Sequence, residues 1–233
     1  MDGTLLDSAE DISDSVNFTL HQLGLPARSD GEVKGFIGEG VNVLLESALG
    51  TKDKEEVAKA VGIFRSHYLE HCTDKSSLYP GVHEILKDLK SVPIGLISNK
   101  PQAMVEKILE HFKISKSFEV VLGAEAAREK KPHPEPVLKS LALMGVPAKG
   151  AMIVGDGIAD IQAGKSAGVL TCAVTYGYKE KKELEAQKPD FMIDRLIDLK
   201  KITRIIPGAK VSFARRASQK SDDRALSEEV PLP

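Results

Sequence analysis

The chain has 233 residues, 42% hydrophobic and 28% charged, with a formal net charge of −2. That fits a soluble globular protein of one large or two small domains with a substantial core, and it offers no strong attraction to nucleic acid or to an anionic membrane. No apolar run approaches a membrane span, no secretory leader is visible, and Trp is absent with aromatics at 5%, so base-stacking platforms are not expected. Cys72 and Cys172 stand far apart without a CxxC pattern, which points to a reducing, cytoplasmic setting.

The chain opens on Met1-Asp2-Gly3-Thr4-Leu5-Leu6-Asp7-Ser8. Asp-Gly is a tight-turn dipeptide, because Gly reaches positive φ at little cost. Ser8 is placed to cap a helix running to about Leu23, with Ile12, Val16, Leu20 and Leu23 as its apolar stripe and Gly24 and Pro26 ending it. Ser29 and Glu32 make a capping-box match. The glycine-rich loop Gly35–Gly40 leads into a helix with Val41, Leu44, Leu45 and Ala48 inward. A longer helix over about 54–71 carries Val57, Val61, Phe64 and Tyr68 on one face. Residues 8–76 therefore read as an all-helical unit. No strand precedes Gly35–Gly40, so a dinucleotide fingerprint is rejected there. His67 and His71 have metal-ligand spacing beside Cys72, but with no third ligand in reach they read as an exposed helix face.

From Tyr79-Pro80-Gly81 the pattern alternates. Helices carry Val82–Leu89, Val105–Phe112 and Val137, Leu138 and Leu141, and a further one runs from about Ala159 to Gly168. Short apolar strand candidates lie at 92–97, 118–122, 151–154, 170–174 and 191–193. Alternation at this spacing predicts βαβ units and a parallel sheet with helices on both faces. Ser98-Asn99 and Asp156 follow strands, so they fall on the carboxyl edge, where such sheets bind ligands. Beyond about residue 206 the chain reads as a disordered, charged tail.

Four motifs occur in order: Asp2-Gly3-Thr4-Leu5-Leu6-Asp7-Ser8, Ser98-Asn99-Lys100, Lys131-Pro132-His133-Pro134 and Gly155-Asp156-Gly157-Ile158-Ala159-Asp160. This set resembles the haloacid dehalogenase-like (HAD) phosphatases. The segment 6–25 and Lys131-Pro132-His133-Pro134 look most like phosphoglycolate phosphatases. The resemblance implies a Rossmann-like three-layer αβα sandwich, residues 1–7 and 77–205, with an inserted all-helical cap of C1 type at 8–76. It implies an Mg²⁺-dependent phosphomonoester hydrolase of small phosphorylated metabolites, 2-phosphoglycolate first among them, working through an aspartyl-phosphate. Asp2, Ser98 and Lys131 take the catalytic roles, and Lys130 is set aside because the family's lysine directly precedes proline. Asp2, Asp156 and Asp160 form the metal set, with Asp156 as a direct ligand and Asp160 orienting Lys131 or water at the metal. Gly3, Thr4, Asn99, Gly38 and Gly40 line the phosphate and substrate. A monomer or homodimer is implied, with no nucleic-acid or membrane partner.

The resemblance also places the nucleophilic Asp one residue before Met1, with its strand. The chain as written is therefore expected to have little or no activity, Met1 being read as an internal methionine and the sheet as lacking its central strand. A phosphosugar mutase or pyrophosphatase of the same fold, and a non-catalytic phosphate-binding remnant, are the alternatives.

Overall fold

The structure is a computed structural model that describes residues 1–203. The expected tail at 206–233 and the last two residues of the expected core, 204 and 205, lie outside the described residues. The chain enters through a two-residue strand β1 (Leu6–Asp7) and passes into four helices: α1 (Ala9–Gln22), α2 (Asp30–Phe36), α3 (Val41–Leu49) and α4 (Lys54–His71). It returns through β2 (Ser77–Leu78), which pairs antiparallel with β1 so that Leu6 faces Leu78. The way in and the way out of the helical unit are thus zipped together. Asp11, in the first turn of α1, reinforces the zip, accepting hydrogen bonds from the backbone N–H groups of Lys75 and Ser76, both at 2.9 Å.

Each helix forms for reasons visible in its residues. Ser29 accepts from Glu32 N while Glu32 returns a bond to Ser29 N, the predicted capping box. Asp53 caps α4 through bonds from Glu55 N and Glu56 N, both at 3.0 Å. Ile12, Val16 and Leu20 of α1 meet Val33, Leu44, Leu45, Phe64 and Tyr68 in one buried cluster, joined by Met104 and Ile108 from below. Each such fully buried side chain stabilises the fold by about 1.5–3 kcal/mol. Ser8 departs from expectation. It occupies the N-cap position of α1 but makes no cap bond; its hydroxyl is spent on Asp2 at 2.6 Å.

The remaining described chain alternates as predicted, with two short helices, the last two, in addition: α5 (Val82–Asp88), β3 (Gly95–Ile97), α6 (Gln102–His111), β4 (Val120–Leu122), α7 (Glu135–Met144), β5 (Met152–Gly155), α8 (Ile158–Ser166), β6 (Leu170–Val174), α9 (Lys181–Ala186), β7 (Phe191–Ile193) and α10 (Leu199–Thr203). The strands are two-sidedly apolar. Met152 and Val154 turn to the cluster built with α5 and α6, whereas Ile153 turns to the cluster of α7 and α8. Cys172 and Val174 go with the first, and Ala173 packs under Ile161 of α8 and Leu184 of α9. A helix–sheet–helix sandwich follows, as expected. On α7, Val137 and Leu141 are buried and Leu138 is 46% exposed.

The strands do not form one continuous ladder. β3 pairs parallel with β4, and β5, β6 and β7 pair in parallel in that order. The two parallel ladders meet at their carboxyl edge through Lys131. Its ammonium donates to the carbonyl of Ile97 at the end of β3 (3.2 Å) and to Asp160 beyond β5 (2.6 Å).

Candidate active site

The opening motif folds as the tight turn its Asp-Gly pair predicts. The Met1 carbonyl accepts from the N–H groups of Thr4, Leu5 and Leu6, and Gly3 sits at φ +72°. That φ and the space around it both demand glycine, since a Cβ at Gly3 would overlap the Asp156 carboxylate. Gly177, after β6, also packs against Asp156 and against the Gly3 carbonyl, leaving no room for a Cβ. Thr4 Oγ1 donates to its Oδ1 at 2.7 Å and the Tyr178 N–H to its Oδ2 at 3.1 Å.

The lysines divide the other carboxylates between them. Lys131 Nζ pairs with Asp160 Oδ1, and the Gly157 N–H donates to Asp160 Oδ2 at 3.1 Å. Lys100 Nζ pairs with Asp2 Oδ1 at 2.8 Å, where Ser8 Oγ also donates. Burial works to raise both carboxyl groups, but Lys100 holds Asp2 below its ordinary value and Lys131 does the same for Asp160. Asp156 goes the other way. Burial and the neighbouring Asp160 push it up, and no ammonium pairs with it.

Among the described residues, no three His, Cys, Asp or Glu side chains converge to hold a metal ion. Of the three expected metal residues, Asp2 pairs with Lys100 and Asp160 with Lys131, and Asp156 pairs with neither lysine. Asp160 takes the orienting place beside Lys131. The His67 and His71 pair is no centre either: His67 Nδ1 lies 2.9 Å from Ser15 Oγ and stacks on Phe18, and His71 Nδ1 lies 2.7 Å from Asp74.

Ser98 Oγ accepts from the Lys100 N–H at 3.1 Å. Asn99 is committed to architecture. Its Nδ2 donates to the carbonyls of Gly38 (3.1 Å) and Lys131 (3.0 Å), and its Oδ1 accepts from the Lys131 N–H (3.1 Å). The Gly35–Gly40 loop is thereby fastened directly above the second motif, with Gly40 against the Asn99 carbonyl. The Lys131–Pro132 bond is cis.

Asp2, Ser98, Lys131, Asp156 and Asp160 all open onto one cavity of about 420 Å³. Gly38, Gly40 and Tyr68 of the helical unit form its opposite wall. Asp2 and Asp156 thus reach one chamber from positions 154 residues apart in the numbering, brought there by the turn at Gly3 and the end of β5.

The chain matches the haloacid dehalogenase-like hydrolase family over residues 1–174. It belongs to that family. It is 41% identical to the phosphoglycolate phosphatase of Aquifex aeolicus over 204 residues, covering 87% of this chain and 93% of that relative. The phosphoglycolate phosphatase of Nitrosococcus oceani is 34% identical over 209 residues, again covering 87% and 93%. Among solved structures, a predicted phosphoglycolate phosphatase from Haemophilus somnus superposes with a TM-score of 0.82 at 34% identity, over 87% of this chain and 95% of that one. This haloacid dehalogenase-like chain is a phosphatase-type member, and the expected family and fold class stand.

Three residues of the chamber were not singled out from sequence. Lys100 was quoted only as the end of the Ser98 motif, and its partner Asp2 lies 98 positions away. Tyr68 was read as core, yet its hydroxyl reaches Lys100 at 2.5 Å. Tyr178 ties three places together, with its OH accepting from Ser8 N at 2.8 Å and donating to Asp7 Oδ1 at 3.2 Å, besides its N–H on Asp156. Its one sequence signal is its place just past the carboxyl end of β6.

Proposed function

We propose that the chain is built as an Mg²⁺-dependent phosphomonoesterase of small phosphorylated metabolites, with 2-phosphoglycolate as substrate. The observation that carries this is the shared chamber of Asp2, Ser98, Lys131 and Asp156. Similarity to phosphoglycolate phosphatases supports the substrate. Residues 1–7 and 77–205 act as the catalytic core, and 8–76 as a cap that closes the chamber. The enzyme works in the cytoplasm as a monomer or homodimer, which suits two buried free cysteines.

Asp156 fits a hard divalent cation. It is a buried carboxylate that forms no ion pair with a lysine among the described residues, and Mg²⁺ needs only one or two carboxylates beside water and phosphate oxygens. Asp156 and the carbonyl of Asp2 would hold the ion, which supplies neutralisation of phosphate charge. Lys131 keeps one donor beyond its bonds to Ile97 and Asp160, and directs it at a phosphoryl oxygen. Ser98 Oγ donates to a second. Asp2, oriented by Ser8 and Lys100, is the acid/base: ionised beside Lys100, it takes up a proton from solvent before it gives one to the leaving oxygen, and recovers one from the attacking water. The Gly38 and Gly40 loop closes over the ester, and Gly3 and Thr4 fix Asp156 beneath it.

The carboxylate that attacks phosphorus in this family precedes the position of Met1. Residues 1–233 alone are thus impaired in turnover. The test is phosphate release from 2-phosphoglycolate by this polypeptide and by one extended with an aspartate-ended strand ahead of Met1. The extended protein should turn over only with Mg²⁺, and the 233-residue one should not. Strong turnover by the 233-residue polypeptide would contradict the impairment. Preference for a hexose phosphate or pyrophosphate in the extended protein would favour a mutase or pyrophosphatase.

A further inference from the structure

Lys100 is the second buried ammonium of the chamber, and nothing in phosphoryl transfer as derived above uses up its capacity. Its side chain is 7% exposed. Two of its three donors are spent, one on Asp2 at 2.8 Å and one on the Tyr68 hydroxyl at 2.5 Å. The ammonium also lies 4.5 Å from the centre of the Tyr68 ring, so core and helical unit hold it jointly. Its own N–H is tied to Ser98 Oγ, which fixes the ammonium-bearing residue relative to the phosphate-facing hydroxyl.

We propose that Lys100 is a specificity-determining residue whose third donor receives a carboxylate on the substrate. The site then selects phosphate esters that carry a carboxylate a few atoms from phosphorus. This rests on the phosphatase reading above and names what chooses its substrate. The charge arithmetic supports it. A phosphate ester with a carboxylate brings two anionic ends into a chamber already holding Asp2, Asp156 and Asp160. Lys131 stands at one end, bonded to Asp160. An anionic second end without its own ammonium would be desolvated beside carboxylates, at a heavy cost. Lys100 is the other lysine of the cavity wall with a buried side chain, set two residues from Ser98. A charge-assisted contact of this kind separates an ester bearing the carboxylate from one lacking it by roughly 10- to 100-fold.

The test is equilibrium binding by calorimetry, which needs no turnover, on the 233-residue chain with Mg²⁺ present. The ligands are 2-phosphoglycolate and 2-hydroxyethyl phosphate, which replaces the carboxylate by a hydroxymethyl group. The proposal expects the first to bind at least about 10-fold more tightly in the unaltered chain. In Lys100→Met that ratio should fall to within about two-fold, and Lys100→Arg should keep most of it. Melting curves of both variants check folding, and the ligand comparison in the unaltered chain stands without them. Equal binding of the two esters by the unaltered chain would overturn the role of Lys100 while leaving the phosphate site intact. So would a ratio that survives Lys100→Met. Binding of neither ester would overturn the phosphatase reading and this proposal with it.

Discussion

Lys131 Nζ lies 2.6 Å from Asp160 Oδ1 and 3.2 Å from the Ile97 carbonyl, so one ammonium joins the carboxyl ends of two parallel ladders that share no backbone pairing. Both partners are buried, with side chains 8% and 14% exposed. A pair like this adds little net stability, but breaking it strands a buried charge. Lys131→Met should therefore cost about 3–5 kcal/mol in chemical denaturation. Lys131→Met combined with Asp160→Asn should recover much of that loss. A cost below about 1 kcal/mol for the single change would mean that water already reaches Asp160.

Gly3 and Gly177 both pack against Asp156, leaving no room for a Cβ at either. Gly3 also needs its φ of +72°. Gly3→Ala should destabilise the fold by about 1–3 kcal/mol and displace Asp156. The readout is Mg²⁺ binding by calorimetry beside the melting curve. Unchanged Mg²⁺ binding in a folded Gly3→Ala protein would show that the turn does not set the position of Asp156.

Asp190 fastens the start of β7 to β6. Its Oδ2 accepts from the N–H and hydroxyl of Thr171, both at 2.8 Å. Burial works to raise this carboxyl, but the Thr171 bonds hold it below its ordinary value of 3.8. A depressed group contributes stability above its unfolded pKa and loses it as pH falls through the folded one. At neutral pH, Asp190→Asn should thus lower stability by up to about 1 kcal/mol, the group being largely exposed. The gap between the two proteins should close as the pH drops below 3.8. A gap that stays constant across that range would mean that the charge on Asp190 plays no part.

Much of this architecture can be read from residue pattern. The apolar runs at 170–174 and 191–193 and the helix at 54–71 appear with the bounds their periodicity predicts. Strand β3 is shorter than the run at 92–97, because Val92 is 39% exposed and pairing starts at Gly95. Helices α9 and α10 passed unread, since Lys181–Ala186 and Leu199–Thr203 are too short to show a period. The motif residues were legible because each follows a strand or opens a turn. The partners that set their charge were not. Lys100 with Asp2, and Tyr178 with Ser8, depend on contacts across 98 and 170 positions, which no local pattern encodes. Ser8 shows the cost of a local reading: the cap position was right, and a tertiary acceptor took the hydroxyl.

The central claim is that Asp156 and Lys131 serve one phosphate ester together with a divalent cation. Calorimetric titration of 2-phosphoglycolate into the 233-residue chain, with and without Mg²⁺, addresses it most directly. The account predicts binding that requires Mg²⁺ and is lost in Asp156→Asn, whose fold the melting curve should show intact. Binding that is indifferent both to Mg²⁺ and to Asp156→Asn would contradict it.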